Sequence, residues 1–178
     1  QAADSSIDPD VSSPVPLAVG EGPYYALPSW DRKMGVVNRF VVLTNWSSAA
    51  VLDKETGLVW EKSPAPFTFP WIFARVHCLV STTGNRIGWR LPSFPELASL
   101  VDPSVSTGPT LPPGHPFLTV QAANYWSATQ YAGDPSTAWY VRFTAESGGG
   151  VGVGVHNSGK ANPGVVWCVR GGMNADEY

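Results

Sequence analysis

The side chains of this 178-residue sequence that can do chemistry are few and far apart. Two cysteines, Cys78 and Cys168, and three histidines, His77, His115 and His156, are the candidates for nucleophile and base. A catalytic thiol needs an exposed, electropositive setting. Cys78 instead recurs at helical spacing with Trp71 and Ala74, and Cys168 alternates within an apolar strand pattern. Neither reads as a nucleophile served by His77 or His156. The histidines lack zinc spacing. Asp53 and Glu55 carry oxygens that suit calcium, yet Asp53-Lys54-Glu55-Thr56-Gly57 reads better as a polar turn, with Gly57 free to take positive φ. Arg90 and Glu96 flank a helix start and read as a structural ion pair, not a catalytic acid with its arginine. The expectation is a non-enzyme with no cofactor and no metal.

A ligand is left with the loops and the polar strand face. The residues singled out there are Asn124, Tyr131, Asp134, Tyr140, Arg142, His156, Asn157 and Lys160. Aromatic and amide side chains of this kind suit stacking on sugar faces or contact with a protein partner.

The elements that must position these residues are legible in part. Arg39 to Leu43 reads as a strand. Val51 to Asp53 and Leu58 to Lys62 form a hairpin around the Gly57 turn, with Trp60 entering the interior. Thr68 to about Ser81 reads as a first helix capped by Thr68, with Trp71, Ala74, Arg75, Cys78 and Leu79 recurring along it. A second helix follows Trp89-Arg90-Leu91-Pro92. Ser93 and Glu96 stand there in capping-box relation, Leu97, Leu100 and Val101 make the apolar side, and Asp102-Pro103 ends it. Residues 103–124 form a long Pro/Gly/Ser/Thr-rich loop of the sort that carries function or an interface. Strand patterns cover Tyr125–Thr129, Ala138–Thr144, Val151–His156 and Val165–Arg170, read as antiparallel. Alternation puts Trp139, Val141 and Phe143 on one face and Tyr140 with Arg142 on the other. The Gly148–Gly154 run reads as an edge ribbon or a close backbone approach.

Composition narrows the class. With 43% apolar residues, 14% charged, 18 glycines, 17 prolines and eight tryptophans, the chain reads as a loop-rich fold with an aromatic interior. Trp60, Trp89, Trp126 and Trp167 are expected to fill it. A net charge of −3 without a Lys/Arg cluster argues against nucleic acid and anionic membranes. No run reaches the ~20 apolar residues of a membrane span. Residues 1–38 are Pro/Ser/Gly-rich and unpatterned, and read as an extended arm that Tyr24, Tyr25, Leu27 and Trp30 anchor on its own domain or a neighbour. The chain begins at Gln1, which reads as a mature form with its leader removed. Two cysteines alone decide nothing about redox compartment.

Six ordered motifs then carry a resemblance. They are Asp53-x-x-Thr56-Gly57-Leu58-x-Trp60, Trp71-x-x-Ala74-x-x-x-Cys78, and Gly88-Trp89-Arg90-Leu91-Pro92-x-x-x-Glu96-Leu97, followed by Tyr125-Trp126-Ser127-Ala128-Thr129, Ala138-Trp139 with Phe143, and Cys168-Val169-Arg170-Gly171. Over residues 40–172 the sequence resembles the DUF1566 family, the domain at the C-terminus of the Legionella collagen-like adhesin. The resemblance implies an α+β, C-type-lectin-like fold of the formylglycine-generating-enzyme type, with two helices packed on twisted antiparallel strands. It also implies a disulfide between Cys78 and Cys168, and hence a location outside the cytoplasm. The calcium-binding triplets of C-type lectins are absent, and the cysteines of the oxidising enzymes with this fold have no match.

The resulting division is an arm (1–38), a lectin-like domain (39–172) and a tail (173–178). The expected function is a non-catalytic, extracytoplasmic adhesion module that displays recognition loops for a glycan or protein ligand. The alternative is a structural subunit of a larger extracellular or surface assembly, docked as a homo-oligomer or wider complex through the arm and the 103–124 loop.

Overall fold

The computed structural model describes residues 35–144 and 155–171. The expected tail, most of the arm and the Gly148–Gly154 run lie outside them. The described chain is α+β and loop-rich, with two sheets and few helices. A four-residue helix, α1 (Val36–Arg39), precedes β1 (Phe40–Val42), β2 (Ala50–Asp53) and β3 (Leu58–Glu61). Then come β4 (Thr68–Phe69), α2 (Trp71–Leu79) and α3 (Phe94–Ala98). The rest is strand: β5 (Asn124–Gln130), β6 (Thr137–Arg142), β7 (Val155–Gly159), β8 (Gly164–Val165) and β9 (Val169–Arg170). One sheet has the order β1-β2-β3-β9 and the other β4-β8-β5-β6-β7. Pairing is antiparallel except where β8 lies parallel to β5, with Tyr125 opposite Val165.

The expected hairpin is present. Asp53 pairs with Leu58, and Gly57 closes the turn at φ +73°. Trp60 is fully buried. The late strand, read as one run, is two strands in two sheets, and the stretch between them joins the sheets. Residues 165–169 are all buried and alternate between two cores. Val165, Trp167 and Val169 enter one cluster with Trp60, Phe117, Tyr125 and Phe143, where Phe117 and Trp167 meet edge to face at 4.9 Å. Val166 and Cys168 enter the other, with Trp71, Ala74, Cys78, Trp89 and Trp126. Period-two alternation in a segment buried on both sides makes it a wall between two cores. Cys78 on α2 bonds Cys168 across the second core, 90 positions apart in sequence, with Cα atoms 5.3 Å apart.

Three local expectations need correction. Thr68 does not cap α2. Thr68 and Phe69 pair with Val165 and Gly164 as a short strand, and Pro70 precedes the helix in an extended conformation. Arg75 and Leu79 do not share the inward stripe, which is Trp71, Ala74 and Cys78. α3 is shorter than its apolar pattern, although its capping box forms and the Glu96 carboxylate accepts the Ser93 N–H at 2.8 Å. The Arg39 guanidinium donates to the Ser99 carbonyl at 2.9 Å, so a cation terminates this helix.

Candidate functional site

The faces of the second sheet decide which polar residues meet. In the β5–β6 and β6–β7 ladders, Asn124 lies opposite Arg142, Trp126 opposite Tyr140, and Tyr140 opposite His156. Residues two apart on a strand share a face, so Asn124, Trp126, Tyr140, Arg142, His156 and Ser158 stand together. The Arg142 Nε donates to Asn124 Oδ1 at 3.2 Å, and the His156 ring stacks on Tyr140 with centroids 5.8 Å apart. Between them lies a shallow groove of about 60 Å³, lined by Asn124, Trp126, Tyr140, Ser158, Pro163 and Gly164.

The groove is firmly built. The Trp126 indole N–H donates to the Phe69 carbonyl at 2.9 Å, and the ring meets Tyr140 edge to face at 6.2 Å. Gly164 makes the floor, since a Cβ there would stand 2.8 Å from the Trp126 ring. Tyr140 was expected on the open polar face, and that needs correcting. It is 9% exposed and belongs to the second core cluster, held between the Trp126 ring edge and the stacked His156 ring. The polar groups left accessible in and beside the groove are the Asn124 amide, the half-buried Ser158 hydroxyl and the exposed His156 imidazole.

The remaining expected residues are elsewhere. Asn157 is on the opposite face, paired with Trp139, and Tyr131 packs edge-on against Trp139 at 5.2 Å. Asp134 closes the β5–β6 turn. The Ser136 hydroxyl and N–H donate to it at 2.7 and 2.8 Å and, with Lys160 nearby, hold its carboxyl below the usual range. Lys160 Nζ donates to Gln130 Oε1 and the Pro135 carbonyl, both at 2.6 Å, and lies 4.5 Å from the Trp71 ring. These two are brackets for a turn. Four of the eight residues therefore converge and four do not.

The 103–124 loop is anchored inward. Thr110, Leu111 and Phe117 are buried, and the Thr110 N–H donates to the Phe143 carbonyl at 3.2 Å. The Tyr125 hydroxyl accepts the Gln121 N–H at 2.8 Å and donates to the Gln121 carbonyl at 3.1 Å. Burial pushes that phenol up to about 12. His115 is likewise pushed below its ordinary value by burial, and its Nδ1 accepts the Phe117 N–H at 3.2 Å.

Residues with chemical potential outside the groove are occupied structurally. Asp53 is fully buried and takes a two-pronged pair from Arg39 at 2.9 and 2.8 Å, and Arg39 also reaches Glu55 at 3.0 Å. Asp53 Oδ1 further accepts the Glu55 N–H at 3.0 Å, tying the turn down. Arg90 holds Glu96 through two bonds, at 2.7 and 2.5 Å. Burial works against the Glu96 charge, but Arg90 and the Ser93 groups outweigh it and keep the carboxyl below its usual range. Among the described residues no group of three or more His, Cys, Asp or Glu is placed to hold a metal, and no helix is long and apolar enough to cross a membrane.

Sequence reasoning missed Arg39, Glu61 and the Ser158-Pro163-Gly164 side of the groove. Arg39 was discoverable in principle, because pairing the first strand antiparallel to the hairpin puts Phe40 opposite Asp53. Glu61 gives no such signal. It is buried beside the disulfide, accepting from Ser81 and Thr83 hydroxyls at 2.8 and 2.6 Å and from the Cys168 N–H at 3.3 Å.

A sequence model of the Lcl C-terminal domain family matches residues 49–170. No curated protein matches the chain.

Proposed function

We infer the function of this chain from one premise: it belongs to the Lcl C-terminal domain family. That membership makes it an adhesion-related domain, and the Cys78–Cys168 disulfide agrees with a place outside the reducing cytoplasm. Our finer reading is a non-catalytic module on a C-type-lectin-like scaffold that holds an uncharged, hydroxyl-rich glycan across β5, β6 and β7.

The observation that carries this reading is the groove. Its lining has no carboxylate, thiol or lysine, and the Ser158 hydroxyl accepts from the Asn162 amide at 2.9 Å, so it presents mainly hydrogen-bonding groups. Its 60 Å³ is far below the ~300–1,000 Å³ of a pocket that engulfs a small molecule. Such a notch takes one substituent of a sugar, a hydroxymethyl or an acetamido group, while the rest of the chain lies over Asn124, His156 and Ser158. The low positive charge of the face favours a neutral glycan over a sulfated one.

Glycan-array binding of the disulfide-bonded full chain, followed by calorimetry on the best hit, tests this. Asn124→Ala with Ser158→Ala should weaken the hit by about tenfold or more, the effect of losing ~1.4 kcal/mol of hydrogen bonding, with the melting temperature unchanged. Unchanged affinity in that double variant removes the groove from the mechanism. Absence of any glycan ligand, with tight binding of a protein partner instead, overturns the glycan reading.

A further inference from the structure

The face of β6 opposite the groove ends in an aromatic corner. Trp139 and Tyr131 are half-buried and meet at right angles with ring centroids 5.2 Å apart, and Phe94 packs on Trp139 from α3 at 6.2 Å. The rings are placed by contacts of their own. The Phe94 N–H donates to the Thr129 hydroxyl at 2.9 Å, which fastens the start of α3 to β5. Tyr131 lies against Gly133, where a Cβ would stand 2.7 Å from its ring. Asn157 on β7 is the cross-strand partner of Trp139, so its exposed side chain shares that face.

What distinguishes the corner is its unused polar groups. The indoles of Trp71, Trp89, Trp126 and Trp167 all donate to backbone carbonyls. The Trp139 indole N–H, the Tyr131 hydroxyl and the Asn157 side-chain amide make no hydrogen bond to any described residue. The charged groups of the adjoining turn are engaged, Asp134 by Ser136 and Lys160 by Gln130 and the Pro135 carbonyl. Flat rings with neutral hydrogen-bonding tips match an uncharged sugar. The C–H groups on one side of a pyranose settle on the electron-rich face of an aromatic ring, and the hydroxyls around its rim reach the polar tips. A pyranose whose substituents are all equatorial keeps that C–H side unbroken.

We propose that Trp139, Tyr131 and Asn157 form a second saccharide site, which takes one sugar of a neutral, β-linked oligosaccharide of equatorially substituted pyranoses. The sugar stacks in the aromatic corner and hydrogen-bonds the Asn157 amide. The class of ligand rests on the glycan reading above. The site itself does not, because it lies on the other face of the sheet and shares no residue with the groove. Lacking a notch, it binds more weakly than the groove. One domain then holds two glycan chains, one on each face, which raises its avidity for a dense glycan surface.

The test uses the full chain with its tryptophans replaced by 5-fluorotryptophan, titrated with cellohexaose into the millimolar range and followed by fluorine NMR. The resonance missing from Trp139→Phe assigns the signal. In the free protein a soluble paramagnet should broaden that signal, and cellohexaose should shift it and protect it. Gly133→Ala displaces only the mobile end of the Tyr131 ring, so it should leave the melting temperature unchanged and weaken the Trp139 response by about tenfold. Tyr131→Ala with Asn157→Ala should weaken it at least as much. The groove variant, Asn124→Ala with Ser158→Ala, should leave the response intact. A Trp139 signal that the paramagnet does not reach, that cellohexaose does not move, or whose movement survives Tyr131→Ala with Asn157→Ala overturns the proposal. A response lost in the groove variant reduces the two sites to one and overturns it as well. A response that persists while the groove variant leaves the best array hit unaltered supports this site and removes the groove instead.

Discussion

Reduction of the Cys78–Cys168 bond is the perturbation whose size follows most directly from the fold. The bond joins α2 to the wall between the two cores and closes a loop with a sequence separation of 90. In the chain-entropy description, a loop of that length restricts the unfolded chain by about 4.6 kcal/mol at 25 °C. Both sulfurs are fully buried, so a Cys78→Ala, Cys168→Ala double variant adds a cavity cost of roughly 1 kcal/mol to the lost cross-link. For a domain of this size, an entropy of unfolding of about 2.1 cal/mol/K per residue converts 4.6 kcal/mol into a fall in melting temperature of roughly 15 °C. Scanning calorimetry of the oxidised protein, the reduced protein and the double variant separates the two terms. Reduction alone should account for most of the loss, and urea unfolding should show a lower midpoint. A reduced protein that melts within about 3 °C of the oxidised one would refute the reasoning, since by the same conversion the bond would then constrain less than ~1 kcal/mol of chain entropy.

The other expectations concern single contacts. Asp53→Asn takes the two-pronged carboxylate from the buried Arg39 guanidinium and leaves it only Glu55 at 3.0 Å, which should cost about 3 kcal/mol by urea unfolding, the low end for a broken buried pair. The paired replacement Arg39→Met with Asp53→Leu should recover most of that loss, and a single variant costing under ~1 kcal/mol counts against the pair. Glu96 has a folded-state pKa below 4.5, so its stabilising charge is present above that value and lost as the pH falls through the lowered one. Glu96→Gln should therefore melt earlier than the parent protein at neutral pH, with the gap closing in acid. A gap that is constant across the titration contradicts this. Gly164→Ala should cost ~1–3 kcal/mol and abolish ligand binding together, because its Cβ would meet the Trp126 ring at 2.8 Å. Gly57→Ala has open space for a Cβ, and only its φ of +73° should weigh against it, by roughly 1–2 kcal/mol with binding intact. Equal effects of the two glycine changes on binding would detach the groove from function.

How far each element could be read depended on how local its cause was. The Gly57 turn and the Ser93–Glu96 capping box are written within a few residues, and both stand as expected. The four tryptophans were assigned to the core from their bulk, and each is buried there. The Cys78–Cys168 pairing was implied only by the family resemblance, because two cysteines without a fold carry no geometry. Thr68 was misread because a good capping residue beside an apolar helical pattern says nothing about a partner strand almost 100 residues later. Tyr140 was misread for a related reason. Alternation shows which residues share a face, but a face becomes open or buried only when something packs on it.

The sequence by itself determined the class of this protein: few charges, many tryptophans and six ordered motifs suffice to state the family and to expect an aromatic α+β core. Those properties are sums over residues or patterns within short windows. The tertiary structure alone decided that residues 165–169 divide two cores and that Arg39 neutralises Asp53. It also decided that Asn124, Tyr140 and Ser158 line one groove while Asn157 and Tyr131 face away. Each of these depends on strand register and on contacts between distant segments, and no local pattern encodes either one.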